Sequence, residues 1–445
     1  MSSLKCRLGD IAHIVMGQSP SGDEVNTQYL GIPLLNGPSE FTEFYPIPVQ
    51  YTECGRKFAE QGDLLFCVRG STTGKMNMAD QKYAIGRGLA AISGKNGYST
   101  EYIKIILEQN LEKILRSATG STFPNVGRDL LCNLEVAINS VDVAENISQI
   151  SATINKKIEL NTQINQTLEQ IAQTIFKSWF IDFDPIHAKA NALASGQAAE
   201  QATQAAMSVI SGKNTQELHR LQTANPEQYQ QLWEIAEAFP SGVDEEGVPR
   251  GWEQTTLSEV CSMKNGYAFK SSDWTEEGIP VIKIGSVKPM IVEVDGNGFV
   301  DEEHSVLHSE FLLTEGDIVV GLTGYVGEVG RIPQGRTAML NQRVAKFIPN
   351  KLNEQQDYYS FVYCLVRDKS FKAFAETNAK GSAQANISTK ELLNYSIILA
   401  SSEIQMKFES LIKPLLDKIL VNSGNNENLS KVRDLLLPKL LSGEV

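Results

Sequence analysis

The chain has 445 residues, with 40 Lys and Arg against 53 Asp and Glu, which gives a formal net charge of −13. Hydrophobic residues make up 42% and charged residues 21%, and these values exclude disorder over most of the length. Because the average field of an acidic chain repels phosphates, contact with nucleic acid has to come from local patches or from a basic partner.

Cysteine and hydropathy patterns bear on the location of the protein. The six cysteines are scattered without a Cys-x-x-Cys pair, which indicates reduced thiols and disfavours zinc sites as well as disulfides. The sequence has neither an apolar run long enough to cross a membrane nor a signal-peptide core at its start. We therefore expect a cytoplasmic protein that has no membrane partner.

Two copies of one unit follow each other along the chain, an internal repeat that shows in four short passages. The passages recur in the same order at offsets between 247 and 261 residues: Arg7–Ile11 with Thr256–Val260, Gly31–Leu35 with Gly278–Ile282, Gly62–Phe66 with Gly316–Val320, and Gly120–Val126 with Gly381–Ile387. A preserved order predicts two domains of the same fold.

Each copy is predicted to be an α+β domain. Short β-branched and aromatic runs, separated by Gly, Pro and Asn, predict strands of a mixed, curled sheet. The clearest runs are Leu64–Val68, Tyr83–Ile92, Ile279–Ile284, Ile318–Leu322 and Val344–Ile348. A helical segment follows in each copy, at Thr100–Ser117 and Asp357–Thr377.

A long helical stretch comes after each copy, with apolar residues that step by three and four as in a coiled-coil seam. Adding 261 to each number of the first seam gives the second: Ile147, Ile150, Ile154, Lys157, Asn161, Ile164, Leu168, Ile171 and Ile175, then Phe408, Leu411, Leu415, Lys418, Asn422, Asn425, Leu429, Val432 and Leu436. Both seams are interrupted by a Lys and, four residues later, by an Asn. A buried polar residue of this kind fixes register. The match indicates that the two helices pair with each other; two unrelated amphipathic helices on separate cores are the alternative.

The remaining segments complete the domain organisation. Residues 186–249 are interpreted as a connector with one or two short helices, for which Asn214–Leu221 and Glu227–Ala238 fit best. Pro414 predicts a bend or a late start of the second long helix, because proline lacks a backbone donor. The predicted parts are a globular domain (1–141), a long helix (142–185), the connector (186–249), a second globular domain (250–400) and a second long helix (401–445). The fold class is α+β, with two similar domains separated by two long antiparallel coiled-coil helices in pseudo-twofold symmetry.

Motifs that carry catalysis are absent from the sequence. Gly70–Lys75 is similar to a phosphate-binding loop, but the spacing is one residue short and Met76 stands where Ser or Thr is required. No Gly-x-Gly-x-x-Gly motif supports a bound dinucleotide, and no Asn/Asp-Pro-Pro-aromatic tetrad supports base methylation. Five histidines are too few for a His-rich metal centre. The sequence therefore predicts a binding protein without a catalytic residue, cofactor or metal of its own.

Paired antiparallel helices would hold the two domains apart as a spacer. Ile147 to Ile175 covers roughly 42 Å at about 1.5 Å per residue, which is comparable to the 34–36 Å turn of B-DNA. Two domains at this separation could read one face of a duplex across an unread gap. Because the copies differ in side chains, the two half-sites are expected to differ and the whole site to be asymmetric.

Loops framed by glycine offer the groups that would read bases. Arg and Lys favour guanine edges, Asn and Gln favour adenine, and hydroxyl groups serve either. The candidates are Arg69, Ser71, Thr72, Thr73, Lys75, Arg87, Thr119, Ser121 and Asn125 in the first copy, and Thr323, Tyr325, Asn341, Gln342, Arg343, Lys380, Ser382 and Gln384 in the second. The alternative is that these loops only turn a sheet and face water.

Several of these passages resemble the specificity subunit of Type I restriction-modification systems. Gly62–Phe66 with its glycine-rich loop, and its twin at Gly316–Val320 and Leu340–Val344, are similar to the motif inside a target recognition domain of that family. Gly120–Val126 resembles the motif that closes such a domain. Leu168–Pro185 (LEQIAQTIFKSWFIDFDP) and Pro249–Glu253 are similar to its central region. The second closing passage, Gly381–Ile387, lacks the Phe and Pro of the first, which leaves individual base contacts open.

The resemblance implies a non-catalytic subunit that binds double-stranded DNA through two target recognition domains. The family's complex holds two modification (methyltransferase) subunits and can add two restriction subunits. S-adenosylmethionine, ATP and magnesium would be used by those partners. The exposed flanks of the long helices, together with Phe176, Trp179 and Phe180 at the helix exit, are expected to contact the modification subunits. A subunit with its own nuclease or methyltransferase activity, and a two-headed structural adaptor without DNA specificity, are the competing hypotheses.

Overall fold

The computed structural model describes residues 4–118, 124–381 and 384–444. The chain forms two compact units, one made of residues 1–160 and 426–445 and the other of residues 161–425. Each unit contains one sheet domain together with a part of each long helix. Loop residues Thr119, Ser121 and Ser382, which are candidate DNA contacts, lie outside the described residues.

The described residues of the first domain form short strands and four α-helices. Its strands are β1 (Leu4–Arg7), β2 (Ala12–Met16), β3 (Val25–Asn26), β4 (Ile32–Leu35), β5 (Gln50–Thr52), β6 (Phe58–Ala59), β7 (Leu64–Cys67), β8 (Met76–Met78), β9 (Tyr83–Ile85), β10 (Leu89–Gly94) and β11 (Glu135–Ile138). Its helices are α1 (Leu8–Ile11), α2 (Thr100–Gln109), α3 (Leu111–Ser117) and α4 (Arg128–Cys132). The predicted helix Thr100–Ser117 is thus interrupted at Asn110.

Strand β7 lies at the centre of this domain and is buried on both faces. Leu64 and Phe66 pack with helix α2 in one core, whereas Leu65 and Cys67 face a second core that includes Tyr83. Successive side chains of a strand point to opposite faces, so a fully apolar run is what a strand between two layers requires.

Beyond the first domain, the chain continues into the long helix α5 (Val141–Phe180) and then into four connector helices. These are α6 (Asp184–Ala194), α7 (Ala199–Ser211), α8 (Thr215–Ala224) and α9 (Pro226–Ala238). The prediction of one or two helices is wrong, because the Ala- and Gln-rich stretch after His187 is also helical. The two helices expected at 214–221 and 227–238 are present as α8 and α9. The buried Lys189 side chain joins α6 to α9 by donating to the carbonyl groups of Ala236, Glu237 and Phe239.

The second domain and the last helix complete the chain. The strands are β12 (Glu253–Thr256), β13 (Cys261–Asn265), β14 (Trp274–Thr275), β15 (Ile279–Ile282), β16 (Met290–Ile291), β17 (Phe299–Val300), β18 (Leu312–Leu313), β19 (Ile318–Gly321), β20 (Val329–Arg331), β21 (Ala338–Leu340), β22 (Val344–Pro349) and β23 (Ser396–Leu399). The helices are α10 (Glu302–Leu307), α11 (Tyr359–Arg367), α12 (Lys369–Asn378), α13 (Thr389–Leu393) and α14 (Ser402–Ser442). The predicted helix Asp357–Thr377 is interrupted at Asp368.

The two domains share one topology. A sheet of order β2-β10-β7-β8 in the first corresponds to β13-β22-β19-β20 in the second, and β3-β5-β4-β9-β6 corresponds to β14-β17-β15-β21-β18. The sheets that begin with β3 and β14 each contain one parallel pair at the equivalent place, β4 with β9 and β15 with β21. Strand β16 has no counterpart among the described residues of the first domain. The predicted repeat is therefore confirmed at the level of strand order.

The long helices α5 and α14 pack against each other in antiparallel orientation. In the first unit, Arg433 donates to Asn155 (2.8 Å). In the second, Asn422 donates to Asn165 (2.9 Å), and the Phe176 and Phe408 rings lie 6.1 Å apart. As the residue number rises along α5, the number of the contacting residue on α14 falls, as antiparallel pairing requires.

The seam between these helices differs from the prediction in half of its positions. Ile147, Asn161, Phe408 and Asn422 are buried as expected. The other half lies one residue later than predicted: Ile158, Asn165 and Ala172 are buried on α5, and Ile412 and Ile419 on α14. Ser151 is also buried, but its hydroxyl donates to Glu101 of α2 (2.7 Å) in the first domain. Consequently the seam does not include Lys157 or Lys418, which are exposed. Five apolar residues that were predicted to be buried are instead 37–53% exposed to solvent: Ile150, Ile164, Ile171, Leu411 and Val432. Helix α14 begins at Ser402, so Pro414 does not mark its start.

Candidate nucleic-acid interface

Three loops of the first domain are joined by backbone hydrogen bonds at one site. They are the loop after β7, the β9–β10 turn and the segment before α4. The amide of Val68 donates to Gly88 O (2.9 Å), and the amide of Val126 donates to Val68 O (2.9 Å). An isolated bridge also pairs Arg69 with Asn125. The loops that the sequence marked as separate candidates therefore form one continuous surface.

The second domain repeats this arrangement with different residues. The amide of Leu322 donates to Arg343 O (2.9 Å), the amide of Ile387 donates to Leu322 O (3.0 Å), and a bridge pairs Thr323 with Asn386. When the strands of the two domains are matched in order, Thr323 of the second domain takes the place of Arg69 and Gln342 takes the place of Arg87. The backbone framework is shared, whereas the side chains it displays are not.

Several of the predicted contacts project from these loops into solvent. Arg69, Ser71, Lys75, Arg87, Tyr325, Gln342, Arg343, Lys380 and Gln384 are exposed, and Thr72, Thr73, Asn125, Thr323 and Asn341 are half-buried. The exposed cations give each domain a local positive group on a chain whose net charge is negative. Such local groups are what phosphate contact requires.

Other predicted contacts hold the loops together. The Thr73 hydroxyl lies 2.8 Å from Gly70 O and 2.9 Å from Pro124 O, and therefore ties two loops of the first domain. The Thr323 hydroxyl donates to Asn386 Oδ1 (2.8 Å) in the second. Lys380 forms an ion pair with Glu391 (2.7 Å), and this hydrogen bond lowers the pKa of Glu391 to about 2. Since Glu391 stays ionised, its carboxylate largely neutralises the charge of the Lys380 ammonium group.

The loop Gly70–Lys75 is not built as a phosphate-binding loop. It connects strand β7 to strand β8, with the amide of Gly74 donating to Cys67 O (2.8 Å). A phosphate-binding loop of the nucleotide-hydrolysing kind leads into a helix, whose N-terminus faces the anion. The structure therefore agrees with the sequence argument against nucleotide hydrolysis at this loop.

Sequence reasoning missed a fourth loop at this surface. In the first domain, Ser19 accepts a hydrogen bond from the Arg87 amide (3.1 Å), and its hydroxyl lies 3.3 Å from Asn36 Oδ1. Asn36 in turn donates to Gln50 (2.9 Å). Asn36 directly follows the repeated Gly31–Leu35 passage, and this position next to a repeated passage was the signal that could have identified it.

Glycine makes this close approach possible in both domains. A Cβ atom on Gly17 would lie 2.1 Å from Gly86 O, and one on Gly266 would lie 2.1 Å from Asn341 O. Neither position has room for a side chain. The loop after β2, or after β13, thus packs directly on the turn that carries Arg87 or Gln342.

The aromatic residues at the end of α5 occupy the core of the second unit. Phe176, Trp179 and Phe180 are 0–4% exposed. Phe180 packs edge-on against Phe361 and Phe408, with ring centroids 5.1 and 4.9 Å apart. The prediction that these three side chains are exposed for partner contact is wrong, because the connector and the second domain cover them.

Within 4–118, 124–381 and 384–444, no cluster of three or more His, Cys, Asp or Glu side chains could hold a metal ion. No helix in this part of the chain has the length and apolarity to span a membrane. None of the six cysteines, all of which are described, forms a disulfide.

Comparison with known proteins identifies the family. The family model described as the Type I restriction modification DNA specificity domain matches residues 4–170 and 249–431. The chain therefore belongs to this family. It is 31% identical over 444 residues to the Type I restriction enzyme HindI specificity subunit of Haemophilus influenzae, covering 96% of this chain and 93% of that one. It is 25% identical to the MjaIX specificity subunit of Methanocaldococcus jannaschii, over 88% of this chain and 80% of that one.

A solved structure supports the fold. The S subunit of a Type I restriction-modification system from M. genitalium superimposes with a TM-score of 0.54 at 16% identity, covering 99% of this chain and 96% of that one. The matched segments of the family model leave out residues 171–248, which correspond to the end of α5 and the connector helices.

Proposed function

We propose that the chain is the DNA-reading specificity subunit of a Type I restriction-modification complex. Each domain reads one half-site through its joined loops, and the paired helices set the unread gap between the half-sites. The observation that carries the proposal is the identical hydrogen-bonded framework of three loops in two domains whose exposed side chains differ.

The exposed residues favour two unlike half-sites. Arg87 in the first domain stands where the second has Gln342, and Arg69 stands where the second has Thr323. A guanidinium favours guanine and a side-chain amide favours adenine. An asymmetric, two-part target follows from these replacements.

In this proposal the chain contributes recognition and no chemistry. Two modification subunits bring S-adenosylmethionine and transfer the methyl group, and restriction subunits, where they join, use ATP and magnesium. A cytoplasmic location suits a protein that acts on the cell's DNA. The lack of catalytic motifs in the sequence supports this division between subunits.

Partly exposed apolar residues on the long helices offer a surface for the modification subunits. In the second unit these are Ile164 and Ile171 on α5, seven residues apart, and Leu411 on α14; in the first unit they are Ile150 on α5 and Val432 on α14. These positions take the place of the buried aromatic residues as the proposed contact. Apolar residues in such a row suit a partner helix.

The test is selection from random duplexes. The chain is assembled with its modification subunits, and bound duplexes are recovered and sequenced. We expect a two-part asymmetric site with a fixed gap, whereas a structural adaptor would show no sequence preference. The chain alone, incubated with S-adenosylmethionine and the selected duplex, should transfer no methyl group; transfer would identify an enzyme instead.

A further inference from the structure

The loop Thr27–Leu30 of the first domain displays two apolar side chains to solvent. Tyr29 is 76% exposed and Leu30 is 52% exposed. The Tyr29 ring leans against Tyr51 at a centroid distance of 4.9 Å and leaves most of its surface free. Adjacent apolar side chains held away from a core are typical of a binding surface.

The backbone holds this loop in one conformation. Tyr29 has a φ of +62°, in the left-handed region that aromatic residues rarely adopt. Asn26 braces the loop: its Oδ1 accepts from the amides of Gln28 (3.0 Å) and Leu30 (3.1 Å), and its Nδ2 donates to Leu30 O (3.0 Å) and Tyr51 O (3.3 Å). A ring whose position is fixed in advance loses little entropy when it binds.

Beside the loop lies a polar cleft of about 630 Å³. Amide and hydroxyl side chains line it, chiefly those of Ser19, Asn26, Thr27, Gln28, Asn36 and Gln50. Ser19 connects the cleft to Arg87, whose amide it binds. Such groups match the donors and acceptors of base edges, which favours nucleic acid over an apolar protein surface as the occupant.

The second domain lacks this feature at the equivalent position. Four residues, 27–30, separate β3 from Gly31, whereas two residues, Glu276 and Glu277, separate β14 from Gly278. Both glutamates are exposed. Carboxylates repel phosphates, so the difference assigns the apolar contact to one half-site alone.

We propose that Tyr29, supported by Leu30, inserts at a base step of the half-site read by the first domain, while the polar cleft contacts the neighbouring base edges. Apolar side chains that enter between base pairs partly unstack them and bend the duplex. The insertion rests on the proposed function, because it requires the first domain to lie on DNA.

The experiment uses the full chain assembled with its modification subunits and a duplex that carries the selected site. Tyr29→Ala should weaken binding roughly 5- to 150-fold, the range for loss of an aromatic contact with a base. Tyr29→Phe should keep most of the affinity, because it retains the ring. Glu276→Ala, in the matching loop of the second domain, should not weaken binding.

With 2-aminopurine in the first half-site, fluorescence should rise when the wild-type complex binds, and rise less with Tyr29→Ala.

Two results would overturn the insertion. In one, Tyr29→Ala leaves both affinity and fluorescence unchanged while the wild type still selects its site. In the other, Tyr29→Ala weakens assembly with the modification subunits but the assembled complex binds DNA normally, which would make the loop a protein contact. A wild-type complex without any sequence preference would instead refute the proposed function itself.

Discussion

The side-chain amide of Asn422 on α14 donates a hydrogen bond of 2.9 Å to Asn165 Oδ1 on α5, and both residues are buried. Asn165 also donates to Ile419 O (3.4 Å). Asn426, which the 261-residue offset makes equivalent to Asn165, donates to Ile158 O (3.3 Å), the equivalent of Ile419. Each helix thus uses the same polar contact toward the other, and these contacts favour one register of the pair.

Asn422→Ala should lower the free energy of unfolding by about 1–3 kcal/mol, because the buried Asn165 oxygen loses its donor. Urea unfolding of the full chain measures the change. Lys418→Ala, one turn earlier but exposed, is the matched control and should change stability by no more than about 0.5 kcal/mol. Equal effects of the two substitutions would argue against an energetic role for the asparagine pair.

A pH-dependent contribution to stability is expected from Glu409 of α14. Its carboxyl accepts hydrogen bonds from the amides of Ser360 and Phe361, each 2.9 Å long, in the first turn of α11. Burial raises the pKa of Glu409 from 4.5 to about 7. Between these values the folded protein holds the proton more firmly than the unfolded chain does. The contribution is therefore complete below about pH 4.5 and is lost as the pH rises through about 7.

Glu409→Gln should remove this dependence. From pH 5 to pH 8, the stability of the wild type relative to the variant should fall by about 2–3 kcal/mol, as the size of the pKa shift implies. Denaturant unfolding at several pH values provides the measurement. Glu403→Gln, at an exposed position of the same helix, makes the same chemical change and is the matched control. Parallel stability curves for wild type and Glu409→Gln would contradict the assignment.

Arg343→Ala should relax the preference at one position of the second half-site, because the exposed guanidinium is placed on the joined loops. The loss of discrimination should be about 1–3 kcal/mol at that position. Selection from random duplexes with the assembled complex measures it. Lys351→Ala removes an exposed cation of the same domain outside these loops and should leave the preference intact. Uniform weakening on all DNA, with a shallower salt dependence, would indicate a phosphate contact for Arg343.

Lengthening both long helices tests their role as a spacer. Insertion of one heptad after Asn161 and another after Asn422 should widen the unread gap by about three base pairs, since seven residues add about 10 Å. Mapping methylated positions gives the gap directly. A heptad inserted at Gly212, in the exposed turn between α7 and α8, should leave the gap unchanged. An unread gap whose length does not change after the helix insertions would refute the spacer model.

The sequence predicted the repeat and several buried strands well, because such strands are continuous apolar runs. Runs such as Leu64–Cys67 and Ile318–Gly321 are apolar throughout and bounded by glycine, so their type and position are local properties. Helix ends were predicted less well. Asn110 and Asp368 interrupt helices whose apolar periodicity continues on both sides, so periodicity alone does not show where one helix ends and the next begins.

The seam was misplaced because apolar character was taken as burial. Ile150 and Ile171 are apolar yet partly exposed, whereas their neighbours Ser151 and Ala172 are small and buried. Ser151 is buried because its hydroxyl donates to Glu101 of α2 (2.7 Å), a contact that hydropathy does not register. Asn165 is polar, so a pattern of apolar residues does not identify it as a buried residue of the seam.

The recognition surface was predicted in part. The loops around Arg69, Arg87 and Asn125 were identified, because glycine and polar residues mark them in both copies. Ser19 and Asn36 were not, because they approach Arg87 through folding of distant segments. The location of Phe176 in the core likewise depends on the connector and second domain, whose packing no local pattern shows.

Strand β1 pairs with β11, and β12 pairs with β23, so the incoming and outgoing segments of each recognition domain lie side by side. Everything between such a pair can lengthen or change without displacing the start of the helix that follows, as the additional strand β16 illustrates. At the level of the gene, the segment that encodes each domain can consequently be exchanged as a unit. Under the proposed function, exchange of the DNA between its two ends would replace one half of the target sequence and leave the long helices unchanged.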